Sequence, residues 1–276
     1  MRVLLAIVTV AVTWAGAAEA ADPVRFLICQ PGGPDLRPQQ QAVIDRLYRY
    51  IESQTGLAEG RIEGVYTNDR AKCLDELTKK PAVLFPSLPI FLEFKSKYAL
   101  EPVAQLKQQG KVEDHFYLLA AKDTTFAFDA MQGKTVTGTH LGSTRFVYDV
   151  VFDKKLSAKE LKLAPQKLGL RAIRNVVKGK ADAVLLDGAQ YRALQGTRYE
   201  KKLRLLHASG PHPTPPITVL SGQAPRGFPE ALGAALAAMK NDATGREVLE
   251  MFQIEGFARP GPRAFASLEA RFSGAN

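Results

Sequence analysis

The chain has 276 residues, a formal net charge of +9, 46% hydrophobic residues, 24% charged residues and two cysteines. This composition is typical of a globular protein, and it excludes a disordered chain, a collagen-like repeat and a small disulfide-rich scaffold. Beyond a targeting segment at the start, about 256 residues remain, enough for two lobes of roughly 100 to 130 residues each. Two lobes would form a cleft between them.

The first 20 residues have the pattern of a secretory signal. Met1 and Arg2 give a short basic start, residues 3–14 are an apolar run, and residues 18–20 form a small-x-small cleavage site. The run is too short to span a bilayer, and no later stretch approaches about 20 uninterrupted apolar residues. We therefore expect cleavage after Ala20 and a soluble exported protein. The alternative is that the segment is retained as an amphipathic anchor.

Export changes the interpretation of Cys29 and Cys73, the two cysteines of the chain. An even number of cysteines in an oxidising compartment favours a disulfide. Closing a loop of this length would stabilise the fold by roughly 4 kcal/mol in the chain-entropy model. The alternative is two buried free thiols. A metal site would need more ligands than these two residues supply.

The first half of the chain alternates between strands and helices. A breaker cluster at residues 30–34 separates the first strand from the first helix. The apolar patterns predict strands over 24–29, 62–66 and 82–85, and helices over 38–55, 68–79 and from Ser87 towards Lys97. Three strand-helix units in a row imply a largely parallel sheet, because parallel neighbours need crossover connections.

The pattern changes after residue 100. Two extended runs, 101–109 and 112–121, are joined by Gly110-Lys111 and predict a hairpin-like or crossing pair that carries the chain between lobes. The proline-dense stretch 209–216 is predicted to be a second crossing segment. The remaining patterns predict strands over 135–138, 183–186, 203–206 and 218–221, helices over 170–178, 228–239 and 245–252, and a helix that begins at Ser143-Thr144.

Four stretches in this order resemble a known family. They are Phe85-Pro86-Ser87-Leu88-Pro89, residues 133–136 before Thr139-His140-Leu141-Gly142-Ser143-Thr144, residues 179–183 before a strand that ends at Asp187, and residues 249–257. Their order and spacing are similar to those of periplasmic substrate-binding proteins of phosphate, phosphite and phosphonate ABC transporters, over essentially the whole mature chain. The resemblance implies an α/β fold of the two-lobed type II periplasmic-binding-protein class. In this class each lobe is a mostly parallel sheet flanked by helices, and two crossing segments join the lobes.

The resemblance also implies an organisation and a function. We expect a signal peptide over 1–20, one lobe formed by 21–115 and 211–276, and a second lobe formed by 116–210. The protein would be periplasmic and monomeric, without a cofactor. It would capture a small anionic ligand, of the phosphate or phosphonate kind, and deliver it to an ABC permease. The alternative is a sensor of the same fold that reports the ligand to a membrane histidine kinase.

Several polar residues are candidates for anion binding. A helix start presents unpaired N–H groups, and hydroxyls placed there add donors, which favours Ser143 and Thr144. Arg145 follows them and could bind an oxyanion through two donors. Relatives that bind phosphonates usually have Ser-Thr-Ser-Gly where this chain has Gly142-Ser143-Thr144-Arg145. The alternative role of the two hydroxyls is simple helix capping.

Other candidates follow predicted strands, where open parallel sheets bind ligands. The candidates are Gln30 after the first strand, Thr67 and Asn68 after the second, Ser87 after the third, and Asp187 after a strand of the second lobe. Thr139 and His140 lie in the loop before Ser143, and the imidazole could donate a hydrogen bond to an anion. Each of these residues has an alternative role as a turn, cap or structural residue.

Enzymatic and nucleic-acid functions lack supporting patterns. The sequence has no G-x-S-x-G motif, and Gly133-Lys134-Thr135 is not a P-loop because position 128 is Phe. The histidines do not have the spacing of a metal site. Residues 154–180 hold nine Lys or Arg and one acid, Glu160. This basic segment predicts a solvated helical face, or a surface that attracts anionic solutes or an acidic partner, rather than a nucleic-acid site. An exported enzyme on the same scaffold is the remaining alternative.

Overall fold

The strands of the protein form two large sheets and a short two-stranded ribbon. The computed structural model describes residues 22–33, 35–157, 160–252 and 254–273. The predicted signal segment, 1–20, lies outside the described residues. Within the described ranges, no helix has the length and apolar character needed to cross a membrane.

The first sheet has six strands, which are β1 Val24–Cys29, β2 Ile62–Thr67, β3 Val83–Pro86, β4 Leu100–Lys107, β12 Pro216–Leu220 and β13 Gly256–Ala258. Their order in the sheet is β13-β4-β12-β3-β1-β2. β1 pairs in parallel with β2 and β3, whereas β12 runs antiparallel to both β3 and β4. β1 to β4 therefore run in one direction, and β12 and β13 run in the other.

The second sheet has five strands, which are β6 Tyr117–Ala121, β7 Thr135–Gly138, β8 Lys162–Pro165, β9 Ala183–Leu186 and β10 Leu203–Ala208. Their order in the sheet is β10-β6-β9-β7-β8. β7 pairs in parallel with β8 and β9, and β6 runs antiparallel to β9 and β10. Both sheets are thus mostly parallel in strand direction, as predicted.

Two short strands connect the sheets. β5 Glu113–Asp114 pairs antiparallel with β11 His212–Pro213. The chain leaves the first sheet after β4 and returns to it at β12, so these are the two predicted crossing segments. The runs 101–109 and 112–121 do not form a hairpin with each other beyond one bridge, Gln108 to Lys111, because they join different sheets. The exact lobe boundaries stay a prediction.

Helices flank both sheets. They are α1 Pro38–Thr55, α2 Arg70–Thr78, α3 Leu88–Tyr98, α4 Gly169–Val177, α5 Gly188–Leu194, α6 Phe228–Ala238, α7 Ala243–Phe252 and α8 Ala266–Ser273, with a π-helix at Phe146–Val151. Several begin at side chains that suit a helix start. Asp69 accepts a hydrogen bond from the Lys72 N–H at the start of α2, and Asp187 does the same for Gln190 in α5.

One apolar core continues from the first sheet into the second. Leu84 of β3 and Phe91 of α3 belong to the same buried cluster as Val136 of β7 and Phe146 of the π-helix. Full burial of each such side chain contributes about 1.5–3 kcal/mol. The C-terminal segment adds contacts on both sides: the Phe265 ring lies 4.9 Å from that of Phe91, and α8 packs against the π-helix.

Cys29 and Cys73 form a disulfide, with their Cα atoms 5.6 Å apart. Both residues are fully buried. The bond joins the end of β1 to α2.

Candidate functional site

A cavity of about 410 Å³ lies between the ends of the two sheets. The lining residues come from both: Pro31, Gly32, Asn68, Asp69, Arg70, Ser87, Pro89 and Ile90 on one side, and Thr139, His140, Gly142, Ser143, Pro165, Gln166 and Lys167 on the other. Nearly all lie at or just after the carboxyl ends of β1, β2, β3, β7 and β8, which are the parallel strands. Such strand ends are where open α/β sheets bind ligands.

Two serines at helix starts line this cavity from opposite sides. Ser87 occupies the N-cap position of α3 and is 5% exposed, yet its side chain makes no capping hydrogen bond within the described part of the chain. Ser143 is 4% exposed, and the one hydrogen bond that its Oγ accepts from a described residue is a long one of 3.4 Å from the Phe146 N–H. Both hydroxyls and the unpaired N–H groups of the first helical turns are therefore available as donors.

The imidazole of His140 contacts the carboxylate of Asp187. Its Nε2 lies 2.8 Å from Oδ2 of Asp187, whose Oδ1 accepts a hydrogen bond from the Gln190 N–H at 2.7 Å. Burial raises the pKa of the Asp187 carboxyl, but the hydrogen bond and charge of His140 and the Gln190 N–H lower it more. The net shift is downward, so the carboxylate stays ionised beside the imidazole.

The two sides of the cavity come close together at Gly32 and Thr139. A Cβ atom at this position would lie 2.3 Å from the Cβ of Thr139, and Gly32 also has a left-handed φ of +84°. Only glycine fits both conditions without strain. The Oγ1 of Thr139 in turn accepts a hydrogen bond of 2.8 Å from Nε2 of Gln190, which fixes this wall. The two lobes are therefore in contact around the cavity.

Charged groups of both signs line the cavity. The guanidinium of Arg70 forms an ion pair with Glu93 of α3. Lys167 Nζ lies 3.7 Å from Asp69 Oδ2, and this pair bridges the two sides. The Lys167 side chain is 84% exposed, so solvent screens the pair and it stabilises closure little. Among the described residues of the basic segment, Lys167 is the one that lines this cavity.

Five of the predicted binding residues line the cavity, and five do not. Those that line it are Asn68, Ser87, Thr139, His140 and Ser143. Asp187 does not line it but contacts His140. Thr67 is buried, and its hydroxyl donates a hydrogen bond of 3.3 Å to the Asp69 carbonyl. The other three are Gln30, Thr144 and Arg145.

Thr144 and Arg145 are exposed, because the first helical turn rotates their side chains away from Ser143. Arg145 Nε lies 3.3 Å from Asp149, and its guanidinium lies over the Phe272 ring at 5.2 Å. Gln30 donates a hydrogen bond to the Phe85 carbonyl at 3.3 Å and lines a separate apolar cavity of about 520 Å³.

The prediction did not include several lining residues. Arg70 lies near the end of β2, close to the predicted candidate Asn68, so the convergence of parallel strand ends could have identified it. Gln166 and Lys167 follow β8, a strand that the sequence pattern did not reveal.

Known proteins similar to this chain agree with this architecture. The family model for phosphonate ABC transporter periplasmic substrate-binding proteins matches residues 34–264. The chain belongs to this family. Its members are transporter components that bind a substrate in the periplasm, and they are not enzymes. Membership implies a small ligand and an ABC permease as partners of this binding protein. No curated protein matches the sequence.

Solved structures with low sequence identity share the fold. A Xanthomonas citri protein bound to ATP has a TM-score of 0.72 at 14% identity, covering 91% of this chain and 98% of its own. PhnD1 from Prochlorococcus marinus, in complex with methylphosphonate, has a TM-score of 0.71 at 12% identity and covers 92% and 98%. The binding component of an ABC phosphonate transporter from Pseudomonas aeruginosa has a TM-score of 0.70 at 15% identity and covers 91% and 85%. The fold is therefore the two-lobed type II binding-protein fold.

Proposed function

We propose that this protein captures a small phosphonate-like or phosphate-like oxyanion in the cavity between its lobes and delivers it to an ABC permease. The observation that carries the proposal is the pairing of Ser87 and Ser143. Each begins a helix, each is buried, and they come from opposite sides of one cavity. Hydroxyl and backbone donors at helix starts suit an oxyanion, whose several oxygens can accept hydrogen bonds from both sides at once.

Uptake, rather than sensing, is the proposed role because the matching family model describes transporter components. The methylphosphonate complex of the Prochlorococcus marinus relative supports the choice of ligand class. Further parts of the proposal are export through segment 1–20, a monomeric state, and lobes formed by 21–115 with 211–276 and by 116–210.

Closure of the two lobes is the proposed capture step. A ligand that contacts hydrogen-bond donors of both lobes favours the closed state, because in the open state it can reach the donors of only one lobe. The hinge would be the ribbon of β5 and β11, since these are the two strands that connect the large sheets.

A thermal-shift panel tests the ligand class. The panel contains phosphate, phosphite, methylphosphonate, sulfate, arsenate and, given the Xanthomonas citri relative, ATP. A ligand present at about 100 times its Kd adds about 2.7 kcal/mol, which raises the Tm of a protein of this size by roughly 5–10 °C. We expect at least one phosphorus oxyanion to give such a shift. If none of the small oxyanions stabilises the protein at millimolar concentration, the proposal is wrong.

Gly32→Ala should obstruct closure. The added methyl group would overlap Thr139, and we expect the Kd for methylphosphonate, measured by calorimetry, to rise at least about tenfold, as a loss of 1.4 kcal/mol would give. Gly60→Ala is the matched control, because Gly60 has a similar φ of +78° but nothing within 4 Å of the added atom. The control should show the same backbone strain with unchanged binding. Equal Kd values for the two variants would contradict the closed-cavity geometry.

A further inference from the structure

The imidazole of His140 has one ring nitrogen committed to the protein and one available to a ligand. Nε2 lies 2.8 Å from Asp187 Oδ2, and the side chain is 13% exposed. An ionised carboxylate only accepts hydrogen bonds, so Nε2 must carry a hydrogen. Nδ1 has no hydrogen-bond partner among the described residues. Because His140 lines the cavity, Nδ1 is the atom that can meet a ligand.

The position of the ring is fixed on two sides. Asp187 is anchored at the start of α5 by the Gln190 N–H, so the carboxylate cannot turn away from Nε2. The Phe116 ring packs edge-on against the imidazole, with 5.3 Å between the ring centroids and 73° between the planes. These contacts hold the imidazole in one orientation towards the cavity.

Several charged and titratable groups surround the imidazole of His140. The titratable and charged groups near it are Asp187 at the start of α5, Arg192 on α5, Asp114 on β5, His212 on β11, Asp69 and Arg70 across the cavity, and Lys167 on the same side of the cavity. Asp187 is the group in direct contact. Arg192 is paired with Asp114 at 3.4 Å, and burial lowers the pKa of His212 to about 4, so that residue stays neutral. Asp187 is therefore the charged group in direct contact with the imidazole, and the Gln190 N–H and Arg192 also stabilise its carboxylate.

We propose that His140 binds the oxyanion through Nδ1, with one proton held between the ring and a ligand oxygen, and that Asp187 is the residue that positions and polarises the ring. This inference rests on the proposed function, because it needs an oxyanion in the cavity. A protonated imidazole donates its Nδ1–H to a dianion, whereas a neutral imidazole accepts a hydrogen bond from the hydroxyl of a monoanion. In both cases the complex contains one more proton than the neutral ring and the free dianion contain before they bind.

The shared proton gives this binding protein a chemical selectivity. At a pH where the free ring and the free ligand have both lost their protons, binding must take one proton from solution, and the Kd rises about tenfold per pH unit. A phosphonate or phosphate can supply this proton itself near neutral pH. Sulfate cannot, so it binds only when the ring is already protonated.

Calorimetry on the mature protein tests the inference. Methylphosphonate is titrated from about pH 6 to about pH 9, and at the alkaline end in two buffers of different ionisation enthalpy, which gives the number of protons taken up. Wild type should approach uptake of one proton there. His140→Asn keeps a donor without a titrating ring, so it should bind with a flatter pH profile and less uptake than wild type.

Asp187→Asn is the second variant. Asparagine caps helices about as well as aspartate, so α5 should stay intact, whereas loss of the charge should shift the affinity profile to lower pH. This shift also decides the test if His140→Asn binds too weakly to measure. Thr144→Ala, at an exposed position, should match wild type in both readouts.

Two results would overturn the inference in distinguishable ways. If methylphosphonate binds, but the pH profile and proton count are the same in wild type and in both variants, then His140 does not share a proton with the ligand and the proposed function stands. If methylphosphonate, phosphate and phosphite fail to bind wild type at every pH, the proposed function and this inference are both wrong.

Discussion

Replacement of Ser87 and Ser143 together by alanine is expected to weaken methylphosphonate binding by about 100-fold or more. A hydrogen bond to a charged group contributes about 1.5–3 kcal/mol, so two of them contribute at least about 3 kcal/mol, which corresponds to this factor in Kd. The fold should change little in stability, because Ser87 makes no capping bond and the capping bond of Ser143 is long.

Calorimetry and thermal unfolding, made on the same samples, separate binding from folding in this experiment. Thr144→Ala is the control: it removes a neighbouring hydroxyl that is exposed and does not line the cavity. The control should retain wild-type affinity. A double variant that is much less stable but binds normally would show that the two serines are helix caps and not ligand contacts.

Removal of the disulfide is expected to lower the free energy of unfolding by about 4 kcal/mol. Cys29 and Cys73 are 44 residues apart in the chain and both are fully buried, so the bond restricts a long loop of the unfolded chain. Denaturant unfolding of the Cys29→Ser, Cys73→Ser double variant measures this loss. The same loss should appear in wild type when a reductant is present.

The disulfide has a second expected effect, on the site. It joins the end of β1, which leads to Gly32, to α2, which begins at Arg70. We expect the reduced protein to bind methylphosphonate more weakly at a temperature where it is still folded. If intact-mass analysis finds both thiols free in oxidised wild type, or if reduction leaves the unfolding curve unchanged, the stabilising role of the bond is wrong.

The sequence predicts the buried parallel strands best. The bounds of β1, β7 and β9 match the prediction, because each strand is a short, mostly apolar run followed by polar or breaker residues. β8 and β13 were missed for a different reason. β8 is a four-residue edge strand of mixed polarity, and β13 has three residues. These two strands are defined by their pairing, of β8 with β7 and of β13 with β4, and not by a local sequence pattern.

The candidate site was predictable only in part. The convergence of parallel strand ends, together with the predicted helix start, brings Ser87, Thr139, His140 and Ser143 to the cavity lining, and their contact with a ligand stays a prediction. It says nothing about the direction of side chains within the first turn of a helix, which takes Thr144 and Arg145 outward. The pairing of His140 with Asp187 joins residues 47 positions apart and depends on the packing of β7 against β9. No local sequence pattern encodes such a contact.

A crystal structure of the protein with methylphosphonate would locate the ligand and its contacts. We expect the phosphonate group in the cavity between the lobes, with its oxygens within hydrogen-bond distance of both Ser87 Oγ and Ser143 Oγ. A phosphonate bound instead in the apolar cavity beside Gln30, or held by one lobe alone, would contradict this expectation.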